Sequence, residues 1–261
     1  MANNTVQEFS QQRVVEITAQ GENTELKDLS QQWLNSSCTH NYSLHFDWMT
    51  RPIIQYPQDM VALQEIIWSV KPDLIIECGI AHGGSLIYNA SILAMLDYCK
   101  AAEDKVAVDP HATTSKILGI DIDIRCHNRK AIESHPLSHK IKMIEGSSVD
   151  PKVISQVKEF ARNHQSILVI LDSNHTHEHV LAELHAYAEL ASTNSYCIVF
   201  DTVIEDMPAE MHDNRPWGPG NNPKTAVWKF LETNTKFKID HSINSKLLIS
   251  VGPQGYLKKI G

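Results

Sequence analysis

Leu74-Ile75-Ile76-Glu77-Cys78-Gly79-Ile80-Ala81-His82-Gly83-Gly84-Ser85 decides how this chain is read. A short apolar run ends in an acid, passes through a glycine-rich turn and enters a segment with helical spacing. Such a strand–loop–helix unit presents bare backbone N–H groups at a helix N-terminus, a natural seat for a nucleotide-like cofactor. Gly79 allows the sharp turn, and Gly83 lets the backbone approach a ligand. Ala81 stands at the middle position of an acid-x-G-x-G-x-G pattern. Glu77 either accepts hydrogen bonds from a ligand amine or organises the loop. A tight strand-to-helix turn without a ligand is the plainer alternative.

Working outward, strands alternate with helices. Strands are expected over Leu74–Glu77, Ile117–Asp121, Ile141–Ile144, Ile167–Leu171 and Tyr196–Phe200. Helical spacing follows each of the first four, over Ser85–Tyr98, Arg125–Ser134, Val153–Arg162 and His177–Leu190, and recurs over Lys224–Thr233. Phe237–His241 and Leu247–Val251 read as a closing antiparallel pair. Lys100–Thr114 is a mixed-charge insert. The strands lack polar alternation, which indicates an α/β, Rossmann-like, doubly wound and mostly parallel sheet covered on both faces. A helix over Asp59–Val70 precedes the first strand. Residues 1–50 are polar and read as a partly helical N-terminal extension to a domain over 51–261.

Ligands in such sheets bind outside the carboxyl ends of the strands, at the switch point. Residues just after each strand are therefore the candidates. Asp121 suits a ribose diol, with Asp123 as second choice. Asp172, in Leu171-Asp172-Ser173-Asn174-His175, closes the fourth strand. His175 and His179 are spaced i,i+4, which can chelate zinc, and Asp172 with Asp201 forms an alternative carboxylate set suited to Mg²⁺ or Mn²⁺. A helix cap at Asp172 or Asn174 with surface histidines is the structural alternative; His177 and His185 are read that way. The loop over 207–223 contains Arg215 and Trp217, which are placed to grip a substrate; Glu205 and Asp206 read as solvated charges.

Composition narrows the classes. Hydrophobic residues make up 42% and charged residues 21%, values ordinary for a globular protein. A net charge of −8 argues against a nucleic-acid partner, which needs a basic face. The five cysteines are scattered without a CxxC pair, so neither a zinc knuckle nor a disulfide framework is indicated. No apolar run approaches the roughly 20 residues of a membrane span, and the polar N-terminus lacks a secretion signal, so a cytoplasmic location is expected.

Taken together, Arg51-Pro-Ile-Ile-Gln-Tyr-Pro-Gln-Asp59, the loop 77–85, Asp172-Ser-Asn-His175 and Asn222-Pro-Lys-Thr225-Ala-Val-Trp228 resemble the cephalosporin hydroxylase-like family, which includes rhamnosyl O-methyltransferases. The resemblance covers about Arg51 to Lys259. It implies a class I, S-adenosylmethionine-dependent methyltransferase fold with a divalent cation, usually Mg²⁺, beside the cofactor's methyl group. It places Glu77, Gly79 and Ser85 in the cofactor loop, Asp121 at the ribose and Ser147–Ser148 near the adenine. It also places Asp172 and Asp201 at the metal. Two positions depart from related patterns: Phe200 stands where some relatives carry an acid, and Asn174 where sugar methyltransferases tend to have one. These departures leave the third metal ligand and the general base open, with His175 able to fill either role.

The expected function is O-methylation of a sugar hydroxyl on a glycan, glycolipid or small natural product, with His175 taking the proton. Competing expectations are a non-haem iron hydroxylase using Asp172, His175 and His179, an NAD-dependent oxidoreductase, and a non-catalytic cofactor-binding scaffold. A homo-oligomer built through the N-terminal segment is a further possibility.

Overall fold

A computed structural model of the chain describes residues 2–261, with side chains described from residue 5 onward; Met1 of the expected extension lies outside them. Two helices come first, α1 (Ala2–Glu22) and α2 (Thr24–Thr39), the second capped by the Asn23 side chain. A short hairpin follows, β1 (Phe46–Trp48) and β2 (Arg51–Ile53). Pro52 sits in β2. Its missing N–H is tolerated because this two-stranded sheet has only edges. Next come α3 (Pro57–Val70), with proline in its first turn, then β3 (Leu74–Cys78) and α4 (Gly84–Asp104).

The alternation continues through β4 (Lys116–Asp121), α5 (Cys126–Glu133), β5 (Ile141–Glu145), α6 (Pro151–Ala161), β6 (Ile167–Leu171), α7 (His177–Tyr187) and β7 (Tyr196–Val199). The chain ends with α8 (Pro223–Leu231), β8 (Phe237–Ile239), α9 (His241–Leu247) and β9 (Tyr256–Lys259). The seven-stranded sheet has the order β5-β4-β3-β6-β7-β9-β8. Its first five strands are parallel, and β9 runs antiparallel to both β7 and β8. The doubly wound α/β architecture expected from the sequence is the one observed.

One element differs. Leu247–Val251 is not a strand; β9 supplies the partner of β8 instead. The reason lies in Asp59. This fully buried carboxylate accepts from Ser250 Oγ, Val251 N and Tyr256 Oη. It pins residues 250–251 to α3, so their backbone cannot join the sheet.

Successive strand residues face opposite cores. Leu74, Ile76, Leu118, Val169 and Leu171 pack under α6, α7 and α8. Ile75, Ile117, Leu168 and Ile170 pack under α3, α4 and α5. Burying each of these aliphatic side chains contributes roughly 1.5–3 kcal/mol, so both faces hold the sheet. The N-terminal helices also touch the body. Gln20 Nε2 donates to the carbonyls of Ser245 and Lys246 in α9, and Leu34 packs on Val203 and Met207.

The order reverses between β3 and β6, so the crevice forms where their carboxyl ends meet. There the chain passes very close to itself. Gly79 has φ +97°, and a Cβ at this position would lie 2.1 Å from the Asp172 carbonyl oxygen. Gly220 has a similar φ of +84° but open space around it. Gly79→Ala is therefore expected to lower unfolding free energy by at least about 2 kcal/mol, against about 1 kcal/mol for Gly220→Ala. Urea unfolding of the two variants beside the parent tests this, and equal losses would contradict it.

Candidate active site

The glycine loop is held from below. Glu77 is buried, and its carboxylate accepts from Ser85 Oγ and from Asn89 Nδ2 at 2.7 Å, both on α4. Burial pushes its carboxyl up to about 7 against those two bonds. Its two oxygens thus tie β3 to α4, the loop-organising alternative of the two considered. Asp121 holds the loop from the side, since its Oδ2 accepts from Ile80 N at 2.8 Å and Ala81 N at 3.2 Å. Ala81 adopts φ +46°, and its carbonyl accepts from Asn128 Nδ2 at 2.9 Å. Arg51 donates to the His82 carbonyl and to Asn128 Oδ1. Gly83 was expected to admit a ligand. Its free side instead faces Ile132, 2.4 Å from where a Cβ would stand, so packing on α5 demands this glycine.

A cavity of about 230 Å³ opens beside this loop. Gly79, Ala81 and Ser85 form one wall, and Asp172, His175 and Asp201 form the other. The last three each offer a donor atom within 4.8 Å of the others, and they are the one such cluster among the described residues. His175 Nε2 lies 3.2 Å from Asp201 Oδ2. Asp201 has a left-handed backbone, φ +54°, a strained setting for a non-glycine residue. Burial, and then the Asp201 charge, hold the Asp172 carboxyl well above the usual range. Gln55 Nε2 donates to Asp172 Oδ2 at 3.3 Å, while the buried Gln55 Oε1 finds no partner.

These features fit a divalent cation. Two carboxylates brought together in a poorly solvated place repel, and hard oxygen donors with one imidazole suit Mg²⁺ or Mn²⁺. The unpartnered Gln55 oxygen adds a further neutral acceptor at the same wall.

His179 does not join the cluster. Thr176 precedes α7, so His175 lies outside the helix and the i,i+4 geometry is lost. His179 turns to Ser148 Oγ at 3.0 Å, away from Asp172. The expected zinc pair and the Asp172–His175–His179 iron site are therefore not formed. His177 is not a free surface group either; its Nδ1 lies 2.8 Å from Thr225 Oγ1 and its N–H donates to Asn221.

A second cavity, about 110 Å³, lies at the carboxyl ends of β4 and β5. Asp121, Ser147, Ser148, Ser173, Asn174 and His179 line it. The two cavities share Ser173, so the edge offers one continuous run from Asp121 to Asp201. Neither Arg215 nor Trp217 lines these cavities; the Trp217 indole meets the His175 ring edge-on at 4.8 Å, and the Arg215 guanidinium stacks 5.4 Å from the indole. Glu205 and Asp206 are not merely solvated. Glu205 accepts from Gly220 N and Asn222 Nδ2, and Asp206 accepts from the buried Lys224. Together they shape the loop that carries Trp217.

Sequence reasoning did not single out Gln55, Ser43 or Val251 as cavity residues. Gln55 lay inside the quoted 51–59 segment, but no spacing rule links an isolated amide to a carboxylate 117 residues away.

A family model described as rhamnosyl O-methyltransferase/CmcI matches residues 40–260. The rhamnosyl O-methyltransferase of Mycobacterium tuberculosis (strain ATCC 25618 / H37Rv) is 28% identical over 202 residues, covering 76% of this chain and 72% of that relative. Among solved structures, the CmcI-N160 apo-structure has a TM-score of 0.56 at 16% identity, covering 84% of this chain and 77% of that one. The cmcI-D160 Mg-SAM structure has a TM-score of 0.55 at 15% identity, covering 84% of this chain and 78% of that one. These structural likenesses concern the fold. The family match spans the whole sheet and every residue of the two cavities, and the chain belongs to the rhamnosyl O-methyltransferase/CmcI family.

Proposed function

We propose that this chain is an S-adenosylmethionine-dependent O-methyltransferase, assisted by a divalent cation, that methylates a sugar hydroxyl of a glycan, glycolipid or small natural product. One observation carries the reading: a single cavity joins the glycine loop to the Asp172–His175–Asp201 cluster. The names of the relatives, rhamnosyl O-methyltransferases, support a sugar acceptor. The Mg-SAM pair in one structural neighbour supports the choice of cofactor and ion.

Gly79, Ala81 and Ser85 would frame the cofactor's amino-acid end, with Glu77 fixing their loop from within the core, while Gly83 serves the packing of that loop on α5. Asp121 would take the ribose, and Ser147 with Ser148 would lie along the nucleobase. The cofactor supplies a methyl carbon that is already electrophilic, so the protein's task is alignment. Asp172 and Asp201 would hold the cation, Mg²⁺ or Mn²⁺, which would supply stabilisation of negative charge on the acceptor oxygen. His175, oriented by Asp201 at 3.2 Å, accepts the hydroxyl proton. Overall the alcohol loses a proton, gains a methyl group and leaves a neutral thioether behind.

The acceptor side of the cavity includes Ser43, Pro52 and Ile54, and neither lysine nor arginine lines it. That lining suits an uncharged hydroxyl compound. Trp217 offers an aromatic face for a sugar ring, and Arg215 keeps that indole in place.

Calorimetry of the purified chain with S-adenosylmethionine, followed by an S-adenosylhomocysteine release assay on rhamnosides, tests the reading directly; absence of cofactor binding overturns it. Mn²⁺ is expected to raise the melting temperature of the parent protein but not of Asp172→Asn or Asp201→Asn, and EDTA to abolish turnover. In metal-free buffer Asp172→Asn should melt above the parent, because it removes one of two repelling carboxylates. Trp217→Ala is expected to raise the acceptor KM about tenfold, the loss of one aromatic contact of about 1.4 kcal/mol, with a smaller change in kcat.

Stability also reports on the site's buried acids. Burial raises Asp59 to about 6 and Glu77 to about 7. Both values exceed the unfolded ones, so the folded state binds more protons and stability falls as pH rises through this range. The melting temperature should therefore increase on acidification from pH 8 to 5.5. Glu77→Gln should flatten the upper part of that slope, with Asn89 turning its unpartnered Oδ1 to the new amide. A flat profile for the parent would count against these two buried acids.

A further inference from the structure

The second cavity, between Asp121 and His179, has a hydrogen-bond polarity that its backbone shape alone does not set. Its back wall includes Ser148, which is nearly buried yet lines the space. Behind Ser148 lies a small polar network. Three oxygens surround His179 Nε2: Ser148 Oγ at 3.0 Å, Ser173 Oγ at 3.3 Å and Glu183 Oε1 at 3.4 Å. Ser173 Oγ donates to Glu183 Oε1 at 2.6 Å, so its proton is committed. Glu183 is fully buried, and its Oε2 has no hydrogen-bond partner.

A buried carboxylate needs donors around it. A lone pair on His179 Nε2 would face this carboxylate and two more oxygens, whereas an N–H there is attracted by all three. Nε2 therefore carries hydrogen and donates to Ser148 Oγ. The Ser148 hydroxyl proton cannot then point back at His179.

We propose that Ser148 donates its hydroxyl proton to an unprotonated ring nitrogen of the cofactor's nucleobase, and that His179, held by the buried Glu183, imposes this polarity as a positioning residue. The proposal rests on the cofactor reading above and adds the chemical feature by which the base is selected: an acceptor ring atom at the back of the cavity. The cavity, about 110 Å³, is several times the ~10–15 Å³ that one water needs in the same measure, so it has room for more than a bridging water.

The test is equilibrium binding of S-adenosylhomocysteine to the full-length protein, alongside its deaza analogues that each replace one ring nitrogen by C–H. The parent is expected to lose about tenfold in affinity for one analogue, the size of one neutral hydrogen bond. Ser148→Ala should bind S-adenosylhomocysteine about tenfold more weakly than the parent and should no longer distinguish that analogue. His179→Leu should behave like Ser148→Ala, while His179→Gln, whose amide nitrogen reaches the position of Nε2, should recover most of the affinity. A merely structural role for His179 would not produce analogue-specific coupling with Ser148. If the parent binds S-adenosylhomocysteine and Ser148→Ala binds every analogue as the parent does, this proposal is overturned and the cofactor reading stands. If the parent does not bind S-adenosylhomocysteine at all, both fall.

Discussion

The contact between Gly79 and the carbonyl of Asp172 is the constraint on which the site depends. It brings together the loops that leave β3 and β6, the two strands between which the winding of the sheet reverses. Nothing larger than hydrogen fits there, so the glycine loop and the Asp172 loop have one mutual position. The cavity wall formed by the first and the carboxylate cluster that begins on the second are thereby fixed relative to each other. Gly79 N donates to the Ile120 carbonyl and Asp172 N to that of Cys78, which extends the lock sideways into β4 and back into β3.

Around this point the fold invests buried polar groups in loop geometry. Glu77 joins the strand to the helix that follows the loop, Asp59 draws the segment before β9 onto α3, and Glu183 gathers Ser173 and His179 beneath the second cavity. Each is an acid withdrawn from water and compensated by specific donors. Such groups contribute less to net stability than apolar packing would, because desolvation offsets their bonds. Their effect here is positional: each fixes a loop at the carboxyl edge of the sheet.

The carboxyl edge of the sheet gathers acidic side chains. Asp172 and Asp201 lie at the ends of neighbouring parallel strands, with His175 beside them and the Trp217 indole against its ring. An alcohol is a poor nucleophile until its oxygen can bear charge, and in the proposed reaction a cation held by these acids would answer that need without a strong base. Under the same proposal, a cavity wall without lysine or arginine would favour a neutral acceptor over an anionic one.

The local sequence alone determined the strand–loop–helix unit, the parallel sheet and the set of strand-end residues, because hydrophobic period and glycine placement are short-range signals. Asp121, Asp172 and Asp201 were legible as strand-end acids for the same reason. The role of Glu77 was not, since Ser85 and Asn89 meet it only once α4 has packed. Nor was the fate of His179: an i,i+4 spacing implies a shared face only inside a helix, and α7 begins two residues after His175. The last strand was misplaced because Leu247–Val251 is apolar enough for a strand, while the buried carboxylate that claims it lies nearly 200 residues earlier in the chain. Tertiary structure decided which polar groups meet, since burial turns distant residues into obligatory partners and sequence spacing carries no record of that.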